Sequence, residues 1–149
     1  MIPLSLKLSN FLSYRQTTSL DFRGIHLACI AGPNGAGKST ILDAMTWALF
    51  GQCRSRSDDE VVNKLAAGQG KAAEVHLVFD LEGGLYRIIR RKGVGKAMSL
   101  DFHVAAEVDG LLDDVAYNLE AAKWKALGEG RLRDTQAAVE NLLNMNYET

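Results

Sequence analysis

The sequence feature that most constrains the fold is a glycine-rich stretch, Gly32 to Ser39, that lies between two different apolar patterns. Before it, Ile25–Ala31 is an almost continuous apolar run of strand length, as expected for a strand covered on both faces. After it, apolar residues recur at three- and four-residue spacing and predict a helix from about Lys38 to Phe50, with Gly51 as its C-cap. The sequence therefore predicts a strand, a tight loop and a helix in direct succession.

The spacing inside this stretch is that of a phosphate-binding loop, because Gly32 and Gly37 are followed by Lys38 and a hydroxyl residue. Glycines let the backbone curl so that amide groups point inward around phosphate oxygens, and the positive end of the helix dipole adds to the attraction. The amides expected to do this belong to Asn34, Gly35, Ala36 and Gly37. An ordinary glycine turn before a helix is the alternative, and the strand and helix on either side disfavour it.

Each polar side chain at the end of the loop has an expected role. Lys38 reaches the β- and γ-phosphates, Ser39 coordinates Mg²⁺ through its hydroxyl, and Thr40 donates a hydrogen bond on the α-phosphate side. Lys38 is therefore the predicted catalytic residue and Ser39 the predicted metal ligand. The predicted cofactors are ATP and Mg²⁺.

Phosphoryl transfer also needs a carboxylate behind the metal ion, usually one that follows an apolar strand. Asp80, at the end of the apolar run that begins at Val75, is the best candidate in the sequence. The turn-like Glu82-Gly83-Gly84 follows almost directly, and the segment belongs to an antiparallel meander instead of an alternating strand and helix run. We therefore interpret Asp80 as part of a hairpin strand and not as a metal ligand.

The patterns before and after the loop predict short elements. Ile2–Leu8 and Thr17–Phe22 alternate with period two, which predicts two half-buried strands joined by a turn at Asn10–Gln16. Ser57–Glu60 has the Ser-x-x-Glu form of a capping box and predicts a short helix that continues to about Leu65.

The remainder of the chain predicts further strands and one helix. Three segments separated by tight turns form a predicted meander: Ala73–Leu81, Leu85–Arg91 and Met98–Val108. Two later segments have a weaker pattern: Leu111–Glu120 is ambiguous and Ala122–Leu127 is a candidate strand. The amphipathic pattern of Thr135–Leu143 predicts a helix.

Composition limits the class of protein. The chain has 149 residues, of which 47% are hydrophobic, so it fits one globular domain; its net charge of −1 gives no overall reason to bind nucleic acid. Cys29 and Cys53 form neither a disulfide framework nor a metal-ligand spacing, which predicts a cytoplasmic location, and the three histidines (His26, His76 and His103) lie in separate predicted strands. No run approaches the ~20 apolar residues of a membrane span, so we expect no membrane partner.

Positive charge is concentrated on one predicted hairpin, which we call the basic hairpin. Its members are Arg87, Arg90, Arg91, Lys92 and Lys96. Such a cluster can contact a DNA backbone, whereas a solvated hairpin tip is the simpler interpretation and the one we favour.

Several segments, taken together, are similar to one family. They are Asn10–Tyr14, Ser19–Phe22, Gly32–Met45, Leu49–Gly51, Glu74–Phe79, Tyr86–Arg91 and Thr135–Thr149. These segments resemble the amino-terminal half of the ATPase head of SbcC-type proteins, which are SMC-like relatives of ABC ATPases in DNA double-strand-break repair. The resemblance covers nearly the whole chain.

The resemblance implies an α/β fold, namely a P-loop NTPase whose single domain, residues 1–149, is an ABC-ATPase-like amino-terminal lobe with an antiparallel β subdomain. It assigns residues 34–40 to phosphate and Mg²⁺, and it places Ser13 in a segment that approaches the base and ribose. Leu12 stands where related sequences often have a basic residue. Leu81–Gly84 resembles the family's Leu-Ser-Gly-Gly signature, but Glu82 replaces the serine, so we interpret it as a turn.

The resemblance also implies partners: the carboxy-terminal lobe of the same protein, an SbcD-type nuclease, DNA, and a second head in an ATP-driven dimer. In this family the glutamine loop, the signature motif and the catalytic carboxylates follow the segments present here. We therefore expect this chain to bind ATP but not to hydrolyse it efficiently by itself.

Other interpretations stay open from the sequence. A small P-loop kinase would share the glycine loop but would continue as alternating strands and helices. A RecF-like or SMC chromosome ATPase head would share both the loop and the meander. A pure binding module, in which the nucleotide is structural, is the third.

Overall fold

One antiparallel sheet is the frame of the part of the chain that the structure describes. The computed structural model describes residues 1–22, 36–53, 57–107, 123–127 and 131–144. Its strands are β1 (Ile2–Ser9), β2 (Thr18–Asp21), β3 (Ala73–Leu81), β4 (Gly84–Lys92), β5 (Ser99–Glu107) and β6 (Lys123–Ala126). Their order in the sheet is β2-β1-β3-β4-β5-β6, and every neighbouring pair is antiparallel.

The predicted strands of this region are confirmed, but the meander is not a separate unit. β1 pairs with β2 along one edge and with β3 along the other, with the register Leu6↔Leu20 on one side and Leu6↔Leu77 on the other. The first hairpin therefore continues directly into the meander. The predicted strand Ile25–Ala31 and the ambiguous segment Leu111–Glu120 lie outside the described residues.

The turn between β3 and β4 confirms the hairpin interpretation of Asp80. Glu82 and Gly83 have φ values of 52° and 84°, the left-handed conformation required at both central positions of a tight hairpin turn. The Asp80 carboxylate accepts a hydrogen bond from the Gly83 amide at 3.2 Å. Asp80 and the Leu81–Gly84 segment therefore form a hairpin end.

Three helices accompany the sheet, and the sequence predicts two of them. They are α1 (Ala36–Phe50), α2 (Lys64–Gly68) and α3 (Leu132–Leu143). α1 packs on β3 and β4, and α3 packs on β5 and against α1. Within the described ranges, no helix combines the length and the apolar character needed to cross a membrane.

The predicted helix from Ser57 to Leu65 is wrong in its form. A short 3-10 helix at Asp58–Val61 is followed by an extended residue, and α2 begins only after it. The side chain of Ser57 makes no capping hydrogen bond. Asn63 caps α2 instead, because its Oδ1 accepts hydrogen bonds from two amides of the first turn.

The main core lies between the helices and one face of the sheet. Its largest fully buried apolar side chains are Leu6, Leu8, Phe11, Trp47, Val61, Val75, Leu77, Phe79, Ile88 and Val139. Side chains alternate across a strand, so Leu85 belongs to a smaller cluster on the opposite face with Leu4 and Val78. Ala105 and Trp124 complete that second cluster.

Candidate nucleotide site

The first turn of α1 is the candidate anion-binding element. α1 begins at Ala36, two residues before its predicted start at Lys38, so the last residues of the glycine motif form its first turn. The first four amides of an α-helix have no partner within the helix, and they carry the positive end of its dipole. The first turn contains no acidic residue that would compete for them. These amides therefore suit a phosphate group.

The structure describes the predicted loop residues in part. Asn34 and Gly35 lie outside the described residues, and for residues 36–39 only the backbone belongs to the described part. The roles of Lys38 and Ser39 therefore stay predictions. Thr40 is buried on α1, and its predicted hydrogen bond to the α-phosphate side also stays a prediction.

Ser13 lies on a tight turn of its own. Phe11 and Tyr14 exchange two backbone hydrogen bonds of 2.8 Å, which makes Leu12 and Ser13 the two corner residues. Leu12 has a φ of 49°, a left-handed conformation that is uncommon for a bulky side chain. Ser13 is exposed at the tip.

Two contacts hold this turn beside α1. The Phe11 ring is fully buried, and its centroid lies 5.3 Å from that of Trp47 on α1. The Leu12 amide donates to the Val61 carbonyl at 2.7 Å. The structure thus brings the Ser13 turn and α1 into one packed unit, although Trp47 lies in the carboxy-terminal half of the helix and the phosphate motif at its start.

Asn63 is a residue of this region that the sequence analysis missed. Its side-chain Nδ2 donates to the Leu12 carbonyl at 2.8 Å, and its backbone amide donates to the Asn10 carbonyl at 2.8 Å. Asparagine directly before an apolar helical run is an N-cap signal, and that signal could have identified its capping role. Its contact with Leu12, 51 residues earlier in the chain, has no local signal.

The structure contradicts both interpretations of the basic hairpin for two of its members. Arg90 is only 1% exposed and donates to the Ala48 carbonyl and to Gln136. Lys92 is also buried, and its ammonium group donates to Asp59 at 2.9 Å and to the Gly93 carbonyl at 2.8 Å. These two cations hold parts of the protein together, so they neither form a DNA surface nor lie at a solvated tip.

Arg87 and Arg91 are also engaged, on the other face of the sheet. Arg91 pairs with Glu74 at 2.7 Å, and the Arg87 guanidinium lies 4.6 Å from the centroid of the Trp124 ring. Burial raises the pKa of Glu74, but hydrogen bonds from His76 and Arg91 outweigh burial and hold that pKa below its ordinary value. Lys96 is exposed in the turn after β4.

The described histidines take part in pairs of this kind and not in a metal cluster. His76 contacts Glu74, and His103 accepts a hydrogen bond from Arg87 at 3.3 Å. Burial, together with the positive charge of Arg87, lowers the pKa of His103. In the described part of the chain, no group of three or more histidine, cysteine, aspartate or glutamate side chains is placed to hold a metal ion. His26 and Cys29 lie outside that part.

An antiparallel sheet packed against a helix that begins inside a phosphate-loop motif is consistent with the fold of a P-loop NTPase. The chain matches the family model described as AAA domain over residues 5–123, and it belongs to that family. The similarities with individual proteins agree with this assignment.

Three relatives illustrate these similarities. The SbcC subunit of the nuclease SbcCD of Deinococcus radiodurans is 32% identical over 149 residues, which is 100% of this chain and 15% of that protein. A DNA double-strand break repair Rad50 ATPase of Thermoplasma volcanium is 40% identical over 111 residues, 74% of this chain and 12% of that protein. Chromosome partition protein Smc of Rhodopirellula baltica is 37% identical over 86 residues, 54% of this chain and 7% of that protein.

These relatives confirm the resemblance to SbcC-type, SMC-like proteins that the sequence analysis predicted. The chain spans about a sixth or less of the length of the curated relatives it matches.

Proposed function

We propose that this chain is the ATP-binding half of an SMC-like DNA repair ATPase, an ABC-ATPase-like amino-terminal lobe. The observation that carries the proposal is the start of α1 at Ala36, inside the glycine motif, which leaves the free amides of its first turn at the predicted phosphate position. The AAA family match and the Rad50 and SbcC relatives support an ATPase.

In this proposal the loop residues divide the work of binding the triphosphate. The amides of residues 34–37 and the start of α1 hold phosphate oxygens, and Lys38 neutralises charge on the β- and γ-phosphates. Ser39 supplies a hydroxyl ligand for Mg²⁺, and Thr40 donates on the α-phosphate side. Bound Mg²⁺ offsets the negative charge of the phosphates. Ser13 contacts the base or ribose.

Hydrolysis needs groups that the described residues do not provide. The one carboxylate that followed an apolar strand, Asp80, is part of a hairpin end. We therefore propose that a carboxy-terminal lobe of the same protein completes the site, and that ATP drives dimerisation of two such heads. A nuclease subunit of the SbcD type is the proposed partner, because relatives are named as the SbcC subunit of the nuclease SbcCD. DNA is reached indirectly in this proposal, since Arg90 and Lys92 are buried.

The test is Mg²⁺-dependent ATP binding and phosphate release by the unchanged chain and by Lys38→Ala, with and without a separately expressed carboxy-terminal lobe. Lys7→Ala is the matched control, because Lys7 is exposed on β1 and its substitution removes the same charge away from the loop. We expect binding to be lost only in Lys38→Ala and turnover to appear only with the second lobe. Rapid turnover by the chain alone would reject the half-site proposal.

An SMC chromosome ATPase head is a second candidate, because the Smc protein of Rhodopirellula baltica is also a relative. Both candidates predict ATP binding, and they differ in the partner. Pull-down with a nuclease subunit of the SbcD type, in the presence of ATP, separates them, since only the first candidate predicts capture. A P-loop kinase is disfavoured, because the described strands that follow α1 are all antiparallel.

A further inference from the structure

The turn that carries Ser13 is held in a conformation that its own residues do not favour. Asn10 and Leu12 have φ values of 53° and 49°. Asparagine tolerates the left-handed region, but leucine rarely adopts it. Strained residues of this kind persist only where the surrounding structure holds them, and they cluster at ligand-binding elements.

The residue that holds the turn is Asn63, through both its backbone and its side chain. Its amide donates to the Asn10 carbonyl and its Nδ2 to the Leu12 carbonyl, each at 2.8 Å. Its Oδ1 is used separately, since it accepts from Leu65 at 3.0 Å and Ala66 at 3.3 Å at the start of α2. One side chain therefore does two jobs through two different atoms, and a substitution can remove one job without the other.

The surroundings of the turn suit an anionic, polar ligand. A cavity of about 520 Å³ lies against the chain on either side of the turn and is lined only by polar residues: Ser9, Asn10, Arg15, Gln16, Thr17 and Lys71. Two of these are cations and none is an acid. The hydrogen bond from the Asn10 side chain to the Ala72 carbonyl, 3.1 Å long, fixes Lys71 close to the turn.

We propose that Asn63 is a positioning residue for nucleotide binding, which holds the Leu12–Ser13 corner in its strained conformation and thereby determines how much the base and ribose add to affinity. This inference rests on the proposed function, in which α1 binds the phosphates and Ser13 contacts the base or ribose. Asn63 itself does not touch the nucleotide. It acts through the carbonyl of Leu12.

The test compares two ligands that share the phosphates but differ in the base and ribose: Mg²⁺-ATP and Mg²⁺-tripolyphosphate, titrated calorimetrically into the 149-residue chain. Asn63→Asp keeps the oxygen that caps α2 but replaces the donor to Leu12 with an acceptor. Asn63→Ser keeps a favourable N-cap without adding charge. Gln69→Glu is the control for charge, because it adds one negative charge at the other end of α2.

We expect both Asn63 variants to lose ATP affinity by about fivefold to tenfold, the usual effect of one buried hydrogen bond, while tripolyphosphate affinity changes less than about twofold. Gln69→Glu should leave the ratio of the two affinities unchanged. Circular dichroism and the urea midpoint monitor folding.

Three results would overturn the inference. Equal losses for ATP and tripolyphosphate would mean that Asn63 is only structural, and an unchanged ratio in both variants would mean that the turn does not contact the base or ribose. Equal affinity of the unchanged chain for the two ligands would have the same meaning. Absence of binding to either ligand by the unchanged chain would reject the proposed function itself.

Discussion

The guanidinium group of Arg90 donates two hydrogen bonds to one backbone oxygen, that of Ala48, from Nε at 3.2 Å and from Nη2 at 3.1 Å. Ala48 lies in the last turn of α1, where carbonyl groups lack partners within the helix and the dipole is negative. Gln136 of α3 accepts from Arg90 and donates to the next carbonyl, Leu49, at 3.0 Å. A strand and a second helix therefore fix the end of α1 that lies opposite the predicted phosphate loop.

The first prediction concerns Arg90 itself. Arg90→Met keeps much of the buried volume but removes the hydrogen bonds to Ala48 and Gln136, and we expect it to lower the free energy of unfolding by about 3 kcal/mol. Urea denaturation followed by circular dichroism measures the change. The control is Arg91→Met, because Arg91 is exposed and its single ion pair with Glu74 should contribute less than about 1 kcal/mol. Equal losses in the two variants would contradict this role of Arg90.

The second prediction uses two glycines with the same backbone conformation. Gly51 and Gly70 both have a φ of 72°, which is unfavourable for alanine. A Cβ atom at Gly51 would lie 2.8 Å from Nη1 of Arg90, whereas nothing lies within 4 Å of one at Gly70. We expect Gly70→Ala to cost about 1 kcal/mol and Gly51→Ala about 2 to 3 kcal/mol, since only the latter also displaces Arg90.

Thermal and urea unfolding of both variants measure these costs. The double variant Gly51→Ala with Arg90→Met provides a further check, because the clash disappears when the guanidinium is absent. We expect the combined loss to be smaller than the sum of the two separate losses. Full additivity would show that Gly51 does not act through Arg90.

The third prediction concerns a buried hydroxyl on α3. Thr135 is 1% exposed, and its Oγ1 has no hydrogen-bond partner in the described part of the chain. Thr135→Val has nearly the same shape and removes an unpaired polar group, so we expect a gain of up to about 1 kcal/mol in the free energy of unfolding. The matched control is Thr46→Val on α1, whose hydroxyl already donates to the Leu42 carbonyl at 2.9 Å. A loss of stability in Thr135→Val would indicate that the hydroxyl is satisfied.

The fourth prediction concerns the dependence of stability on pH. The pKa of His103 is lowered in the folded protein by burial and by Arg87, more than Asp101 raises it. The unfolded chain therefore binds a proton more readily, so stability is full above the unfolded pKa and falls as pH decreases from about 6.5 towards the folded pKa. The effect is modest, because solvent screens this half-exposed group.

His103→Gln removes this contribution and should flatten the decrease in stability between pH 7 and pH 5.5, on the order of the range that the lowered histidine pKa covers. Urea midpoints at several pH values measure it. An unchanged slope in the variant would show that other groups cause the decrease.

Much of the fold could be predicted, because its elements have strong local signals. The alternation of Ile2–Leu8, the turn residues Glu82 and Gly83, and the helical spacing after Lys38 each correspond to an element that the structure contains. The helix predicted from Ser57 failed for a physical reason: a capping-box pattern is weak, and Asn63 provides the cap that the structure uses.

The sequence by itself determined the element types and the phosphate-loop motif, since both depend on the spacing of residues that are neighbours in the chain. Only the tertiary structure decided where the long cationic side chains end. Arg90 meets Ala48 across 42 residues, and Lys92 meets Asp59 across 33. A charge in a sequence is compatible with solvent, with a partner molecule or with a buried acceptor. The choice depends on which unpaired backbone and carboxylate oxygens the fold brings within hydrogen-bonding distance.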